Sequence, residues 1–294
     1  VGVELTPLRY FSAIARAKHM TRAARALGVS QPALSAAVRK LEEEVGAALL
    51  DRTGRGVELT AAGAAFLGFA EEAIRSAEGG RRAVRELVGL ESGSIRVGGG
   101  ATATAFVLPA VVSALRRQHP GLRFYVREAG STAIADAVIS GELDLGIVTL
   151  PLRKADAEHL LSIRLVQDEL RLIPRPGSAL AGKRSFRWRD LEGLDVIAFE
   201  AGSAVRAVLD GAARSAGVRL NVVMELRSIE SIRRMVTAGV GVGFVSRFAL
   251  PPGEGLSCAQ GRLTRDLAIV RRRDKVPSPG AAAFEAALLK SVRA

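Results

Sequence analysis

The chain holds a single cysteine, Cys258, among its 294 residues, which excludes an internal disulfide framework and any multi-cysteine zinc site. Its three histidines, His19, His119 and His159, lie far apart with no metal-ligand spacing. No run of about twenty apolar residues occurs, so no membrane span is predicted. The amino terminus lacks a basic segment leading into an apolar stretch, and no secretory signal is read there. No GK[ST] follows the glycines Gly98 to Gly100, and no G-x-S-x-G elbow is present. GVGVG at Gly239 to Gly243 runs from helix into strand, the wrong order for a dinucleotide-binding turn. The expectation is a cytoplasmic protein that is not an enzyme and takes neither metal nor cofactor. Cys258 reads more simply as an incidental thiol than as a redox sensor.

What is abundant is positive charge, with a formal net charge of +12, but its distribution is uninformative. Residues 1–60 carry nine Lys and Arg against six Asp and Glu. Most of the excess lies in later stretches such as Lys183 to Arg189 and Arg262 to Lys275, where solvated surface arginines are the plainer reading. A nucleic-acid assignment therefore has to rest on a motif.

Thr21 to Leu41, TRAARALGVSQPALSAAVRKL, supplies that motif. Ala23, Ala24 and Leu27 give a first short helix one apolar stripe, with Thr21 as its expected N-cap and Gly28 as the left-handed turn that ends it. Ser30 is expected to cap a second helix with Pro32 in its first turn. Leu34, Val38 and Leu41 face inward, which leaves Gln31, Ala33, Ser35, Ala36, Arg39 and Lys40 for other faces. This is a helix-turn-helix whose reading helix starts at Ser30. Around it, Thr6 is expected to cap a helix bearing Leu8, Phe11 and Ile14. Gly46 ends the reading helix, a strand begins at Leu49–Leu50, Thr53 to Gly56 is a hairpin tip, and Val57 to Leu59 returns.

LRYF at Leu8 to Phe11, the helix-turn-helix core, KLEEEVG, and DRTGRGVELTAAG at Asp51 to Gly63 run in register without a gap. Together they closely resemble the DNA-binding domain of LysR-type transcriptional regulators. The resemblance implies an N-terminal winged helix-turn-helix over residues 1–60, a long linker helix that dimerises over 61–91, and a two-lobed effector-binding domain over 92–294. In such a helix, apolar Phe66, Phe69, Ala73, Ile74, Ala77, Val84 and Leu87 recur at roughly 3.5-residue spacing. Phe66, Phe69 and Ala73 are the expected dimer contacts; the alternative is an ordinary helix packed on its own domain. Gly79 and Gly80 predict a kink or an early end.

From Ser94 the pattern alternates strand and helix, an α/β architecture with ligands expected beyond the carboxyl ends of the strands. Strands are predicted at Ile95–Val97, Phe124–Val126, Leu143–Val148, Glu169–Ile173, Asp195–Phe199, Leu220–Met224, Gly241–Val245 and Leu267–Val270, with a final helix from Gly280. The blocks VLPAVVSALRRQHP, SGELDLGIV and AGVGVGFVSRFAL resemble the family's effector domain, itself similar to type 2 periplasmic binding proteins. Lobe 1 is then about 94–163 with 264–294, and lobe 2 about 164–263.

For DNA, Gln31 offers a donor and an acceptor to an adenine edge, and Pro32 can touch a thymine methyl. Ser30 and Ser35 lie beside them on the reading helix, while Arg39 and Lys40 suit phosphate. At the wing, Arg55 suits a minor groove and Arg52 the backbone. The family commonly has arginine after the serine matching Ser35, where this chain has Ala36. For the effector, Thr102, Thr104, Ser131, Thr132, Thr149, Glu200 and Ser203 follow strands where helices begin, and short hydroxyls beside unsatisfied N–H groups suit a small anion. Simple helix capping is the plainer reading of each taken singly. The expected partners are double-stranded DNA, a small anionic or carboxylate-bearing effector, a second copy in a dimer or tetramer, and RNA polymerase. The rival readings are a solute-binding protein, or a metabolic enzyme, carrying a DNA-binding-like module.

Overall fold

The computed structural model describes residues 2–53, 56–87 and 93–291, and the chain divides into two compact units, residues 1–84 and 85–294. In the first, α1 (Leu5–Ala17), α2 (Met20–Leu27) and α3 (Gln31–Val45) are followed by the hairpin β1 (Leu50–Thr53) and β2 (Gly56–Leu59) and by α4 (Ala61–Leu87). The breaks fall where the backbone needs positive φ: Gly28 at 68° ends α2 and Gly46 at 78° ends α3. The Ser30 hydroxyl accepts from the Ala33 N–H at 3.3 Å, as a capping serine should. The two threonine caps are corrected. Thr6 and Thr21 lie inside α1 and α2, whose flanking residues are Glu4 and His19 and make no side-chain cap.

Leu8, Phe11, Ile14, Ala23, Ala24, Leu34, Val38 and Leu41 close over one another as the core of this unit. Each large member contributes about 1.5–3 kcal/mol by leaving water. The α4 helix joins the same core. Thr60 caps it, accepting from the Gly63 N–H at 2.9 Å while donating to the Ala48 carbonyl at 2.7 Å. It then runs unbroken through Gly79 and Gly80, so the early end expected there does not occur. The last predicted residues of this linker, 88–91, lie outside the described residues.

Phe66 is also corrected. Its ring sits 5.9 Å from that of Phe11, and with Ala62, Leu67, Ala70 and Ile74 it packs against the unit's own core. Phe69, only three positions on, turns outward and is 72% exposed, and Ala73 is exposed as well. The helix is fastened to α1 by Glu71, which accepts from Ser12 Oγ at 3.1 Å and Arg16 Nη2 at 2.9 Å.

The second unit begins with β3 (Ser94–Gly99), a π-helical turn at Ala103–Val107 and α5 (Leu108–Gln118). It continues through β4 (Arg123–Glu128), α6 (Ser131–Ile139), β5 (Leu145–Thr149), α7 (Lys154–His159), β6 (Leu160–Ile173), β7 (Ser185–Phe186) and β8 (Asp195–Phe199). Then come α8 (Ala204–Ser215), β9 (Asn221–Leu226), α9 (Ile229–Thr237), β10 (Val242–Ser246), β11 (Ser257–Cys258), β12 (Thr264–Arg272) and α10 (Pro279–Ser291). Eight strands lie in the order β4-β3-β5-β12-β6-β10-β8-β9. The outer pairs are parallel, while β12 and β6 run antiparallel through the middle, from Thr264 opposite Glu169 to Arg272 opposite Leu160. These two long strands join the lobes. The sequence predicted only their most apolar stretches, Glu169–Ile173 and Leu267–Val270.

Both faces of the sheet are covered in each lobe, which is why β5 and β10 are apolar without alternation. In lobe 1, α5 and α10 bring Leu108, Val111, Phe284 and Leu288 onto Val97 and Ile147, and α6 brings Ile134 and Val138 onto the opposite face. In lobe 2, Leu209 of α8 packs near Val196 and Phe244 on one face, and Ile229, Ile232 and Val236 of α9 cover Ile197 and Val245 on the other.

Candidate functional site

Two places carry the sequence-predicted functional residues, one in each unit. In the first, α3 presents Gln31, Pro32, Arg39 and Lys40 to solvent. The Thr21 hydroxyl donates to Gln31 Oε1 at 3.1 Å, so the side chain at the start of the reading helix is held by the helix before it. Arg39 Nε turns back to the Ser35 carbonyl at 3.4 Å, and Lys40 Nζ approaches Glu4 at 3.3 Å. The outward placement expected of Ser35 is corrected, because it is 8% exposed and counts with Leu34, Val38 and Leu41 among the buried residues of α3. Arg55 lies outside the described residues; Arg52 stands on β1, paired with Val57. Glu42 ties the pieces together, its Oε1 accepting from the N–H groups of Leu49 and Leu50 at 2.8 and 3.0 Å.

In the second unit a cleft of about 440 Å³ opens between the lobes. Its walls are the loop after β3, the start of α6 and the end of β5 from lobe 1, and residues 199–205 with Leu226 and Arg227 from lobe 2. Thr102, Ser131, Thr149, Glu200 and Ser203 all line it, so five of the seven expected residues converge. Two do not. Thr104 is not among the lining residues and donates to Glu128 at the cleft's edge, and Thr132 lines a neighbouring cavity of about 340 Å³ with Pro151 and Arg153.

The hydroxyls of this cleft share a polarity. Thr149 N–H donates to Ser131 Oγ at 3.0 Å and Arg206 N–H donates to Ser203 Oγ at 3.2 Å. Arg265 Nη2 donates to Thr102 Oγ1 at 2.7 Å, and its Nη1 approaches Thr149 Oγ1 at 3.4 Å. Backbone N–H groups and guanidinium can only donate, so every one of these four oxygens is an acceptor in its bond with the protein. Each hydroxyl therefore keeps its own proton to give. Four converging O–H donors suit a ligand rich in acceptor oxygens.

The charges around them are balanced. Glu128 from lobe 1 and Glu200 from lobe 2 reach the cleft, the latter accepting from Arg227 Nε at 2.6 Å. Glu225 stands behind the lobe 2 loop, accepting from the Ala201 N–H at 3.1 Å and from Arg206 Nη1 at 2.9 Å. Those two contacts, the backbone N–H first and the guanidinium second, hold its carboxyl below the ordinary range. Arg206 also reaches the Phe199 carbonyl and Asp210, which makes it the organiser of the loop that carries Ser203. No group of three or more His, Cys, Asp or Glu able to hold a metal ion occurs among the described residues.

Sequence reasoning missed Arg265, Asp168 and Arg206. Arg265 and Asp168 lie on the joining strands, far in sequence from the hydroxyls they serve, so no local pattern marks them. Arg206 had one usable signal, its i, i+4 spacing to Asp210 on α8.

A family model described as "Bacterial regulatory helix-turn-helix protein, lysR family" matches residues 5–64, and one described as "LysR substrate binding domain" matches residues 89–293. The chain is 32% identical over 281 residues to a "Probable RuBisCO transcriptional regulator" of Thalassiosira pseudonana, covering 92% of each protein. The structure of full-length CbnR complexed with its target DNA is similar at a TM-score of 0.74 and 22% identity, over 98% of this chain and 100% of that one. The CcmR regulatory domain of Synechocystis in complex with 2-PG is similar at a TM-score of 0.61 and 22% identity, over 68% of this chain and 97% of that one.

Proposed function

The chain belongs to the LysR family of transcriptional regulators, and from that premise we propose that it reads a specific DNA site through α3 and the β1–β2 hairpin under control of a small oxyanion held between its lobes. It acts as a regulator in the cytoplasm, not as a catalyst. It works as a dimer, or as a pair of dimers, joined along the outward face of α4. Gln31 and Pro32 meet base edges, Arg39, Lys40 and Arg52 meet phosphate, and Arg55 enters the flanking minor groove.

The observation that carries the effector class is the shared polarity of Thr102, Ser131, Thr149 and Ser203, each an acceptor toward the protein, which leaves its own proton for a ligand. A carboxylate or phosphate matches four donors; a cation does not. Because the hydroxyls come from both lobes, a bound oxyanion favours one lobe arrangement over another, which is the differential affinity that a switch requires.

The test is calorimetric titration of the full chain with a panel of small acids, beginning with 2-PG, in wild type, Thr102→Val and Ser203→Ala. Each substitution should weaken binding by about 1–3 kcal/mol where an acceptor loses its donor. A tightest ligand that is cationic or wholly apolar sinks the reading. DNA affinity, measured by gel shift at two salt concentrations, should fall with salt as phosphate contacts require.

A further inference from the structure

At the floor of the cleft one ion pair is almost sealed from solvent. Arg265 of β12 sits opposite Asp168 of β6 in the strand register, with 8% and 0% of their surfaces exposed. Asp168 Oδ2 accepts from Arg265 Nε at 2.9 Å, and Nη2 lies at the same distance. The other oxygen, Oδ1, accepts from Ser246 Oγ at 2.7 Å, and Ser246 in turn accepts from the Phe248 N–H at 3.1 Å. One continuous chain of bonds thus runs from Thr102 and Thr149 in lobe 1, through the joining strands, to the end of β10 in lobe 2.

Such a pair adds little to stability by itself, because taking two charges out of water offsets most of their attraction. Its geometry points elsewhere. A guanidinium has five N–H donors. Nε and Nη2 are committed to Asp168 and Thr102, whereas Nη1 has only the long 3.4 Å approach to Thr149. Arg265 is also one of the residues lining the cleft. The edge left under-used is therefore beside the hydroxyls that offer protons to a ligand.

We propose that Arg265 is the cation that reads a carboxylate of the effector at the cleft floor, and that Asp168 is the positioning residue that holds it there and links it to Ser246 in lobe 2. This rests on the reading of the cleft as an oxyanion site. Asp168 aims the guanidinium and also sets its strength, since a neutralised cation binds an anion less tightly than a bare one. A bound carboxylate takes Nη1 together with the Thr102 proton. The pair it leans on is joined by a short bond to Ser246, so lobe 2 cannot move at that point without stripping a donor from a buried carboxylate.

The experiment titrates full-length protein with glycolate, malonate and succinate, each against its amide. Wild type should prefer each acid it binds to the matching amide. Arg265→Gln should lower that ratio by about tenfold or more, the equivalent of one hydrogen bond to a charged group. Should the single variant fail to fold around an unpaired Asp168, the double variant Asp168→Asn/Arg265→Gln removes both charges and should show the same lost ratio. Asp168→Asn alone should raise the preference for acids, a gain that a purely structural role would not produce. Wild type preferring no acid to its amide overturns the cleft reading itself. A wild-type preference that survives Arg265→Gln or the double variant, or Asp168→Asn weakening acid and amide alike, overturns only the assignment of Arg265 and Asp168.

Discussion

Thr21 and Gln31 meet across the turn of the helix-turn-helix, the threonine hydroxyl donating to the glutamine's amide oxygen at 3.1 Å. The bond fixes which end of the amide faces the helix behind and leaves the NH2 group to look outward from the start of α3. A side chain ordered before DNA arrives loses less rotamer freedom on binding. Gln31→Ala should therefore weaken the specific operator by about 1–3 kcal/mol and leave binding to random DNA nearly unchanged. Thr21→Val should lower specificity by less, since it frees Gln31 without removing it. Competition gel shifts read both, and equal losses on operator and random DNA would reassign Gln31 to backbone positioning.

Phe69 stands outward on α4 while Phe66 is turned into its own unit. Their substitutions should separate cleanly. Phe69→Asp should convert dimers to monomers in sedimentation with the melting temperature little changed. Phe66→Asp should instead unfold the first unit, because a charge buried there without a partner costs several kcal/mol. A Phe69→Asp protein that remains dimeric would move the interface away from α4.

Glu225 has its folded pKa depressed below the ordinary 4.5 by the Ala201 N–H and then by Arg206. A group depressed in this direction contributes its stabilisation above its unfolded value and loses it as pH falls through the lower, folded value. The loop carrying Ser203 should therefore stay ordered from neutral pH down to about 4.5 and loosen only below it. Hydrogen exchange at residues 200–203 reads this directly. Loosening that begins near pH 6 would mean that another group controls the loop.

Gly63 is one position where the first unit has no room for a side chain. A Cβ there would lie 1.9 Å from the carbonyl oxygen of Leu49, a backbone atom that cannot move without shifting the hairpin. Gly63→Ala should destabilise this unit by about 1–3 kcal/mol or more, by the usual cost of overpacking. Chemical denaturation of the full chain, followed by probes specific to each unit, should show the second unit unaffected.

The first unit was legible because its signals are local. Gly28, Gly46 and Ser30 act on residues within a turn of themselves, and the structure uses each as the pattern predicts. The threonines Thr6 and Thr21 misled because a good capping residue and a tolerated first-turn residue look alike when the true flanks, Glu4 and His19, make no cap. Phe66 misled for a different reason: heptad spacing cannot tell a partner subunit from the helix's own domain. In the cleft, the residues at strand ends were found and the ones beneath them were not. Arg265 reaches Asp168 across 97 positions through the pairing of β6 with β12, and Thr102 across 163 because β12 pairs with β5 and β5 with β3. Thr104 shows the reverse failure, a residue in the right segment whose hydroxyl is taken up by Glu128.

Glu42 holds the N–H groups of both Leu49 and Leu50, so α3 and the first strand of the hairpin share one side chain as a bracket. A bracketed pair of contacts behaves as a ruler. On the reading proposed above, in which helix and hairpin both meet DNA, the step between their contacts is set by the protein and not by the DNA. One base pair inserted between them would carry the flank away by about 3.4 Å and around the duplex axis. One carboxylate ties the two elements together, so operator spacing should tolerate substitution far better than insertion.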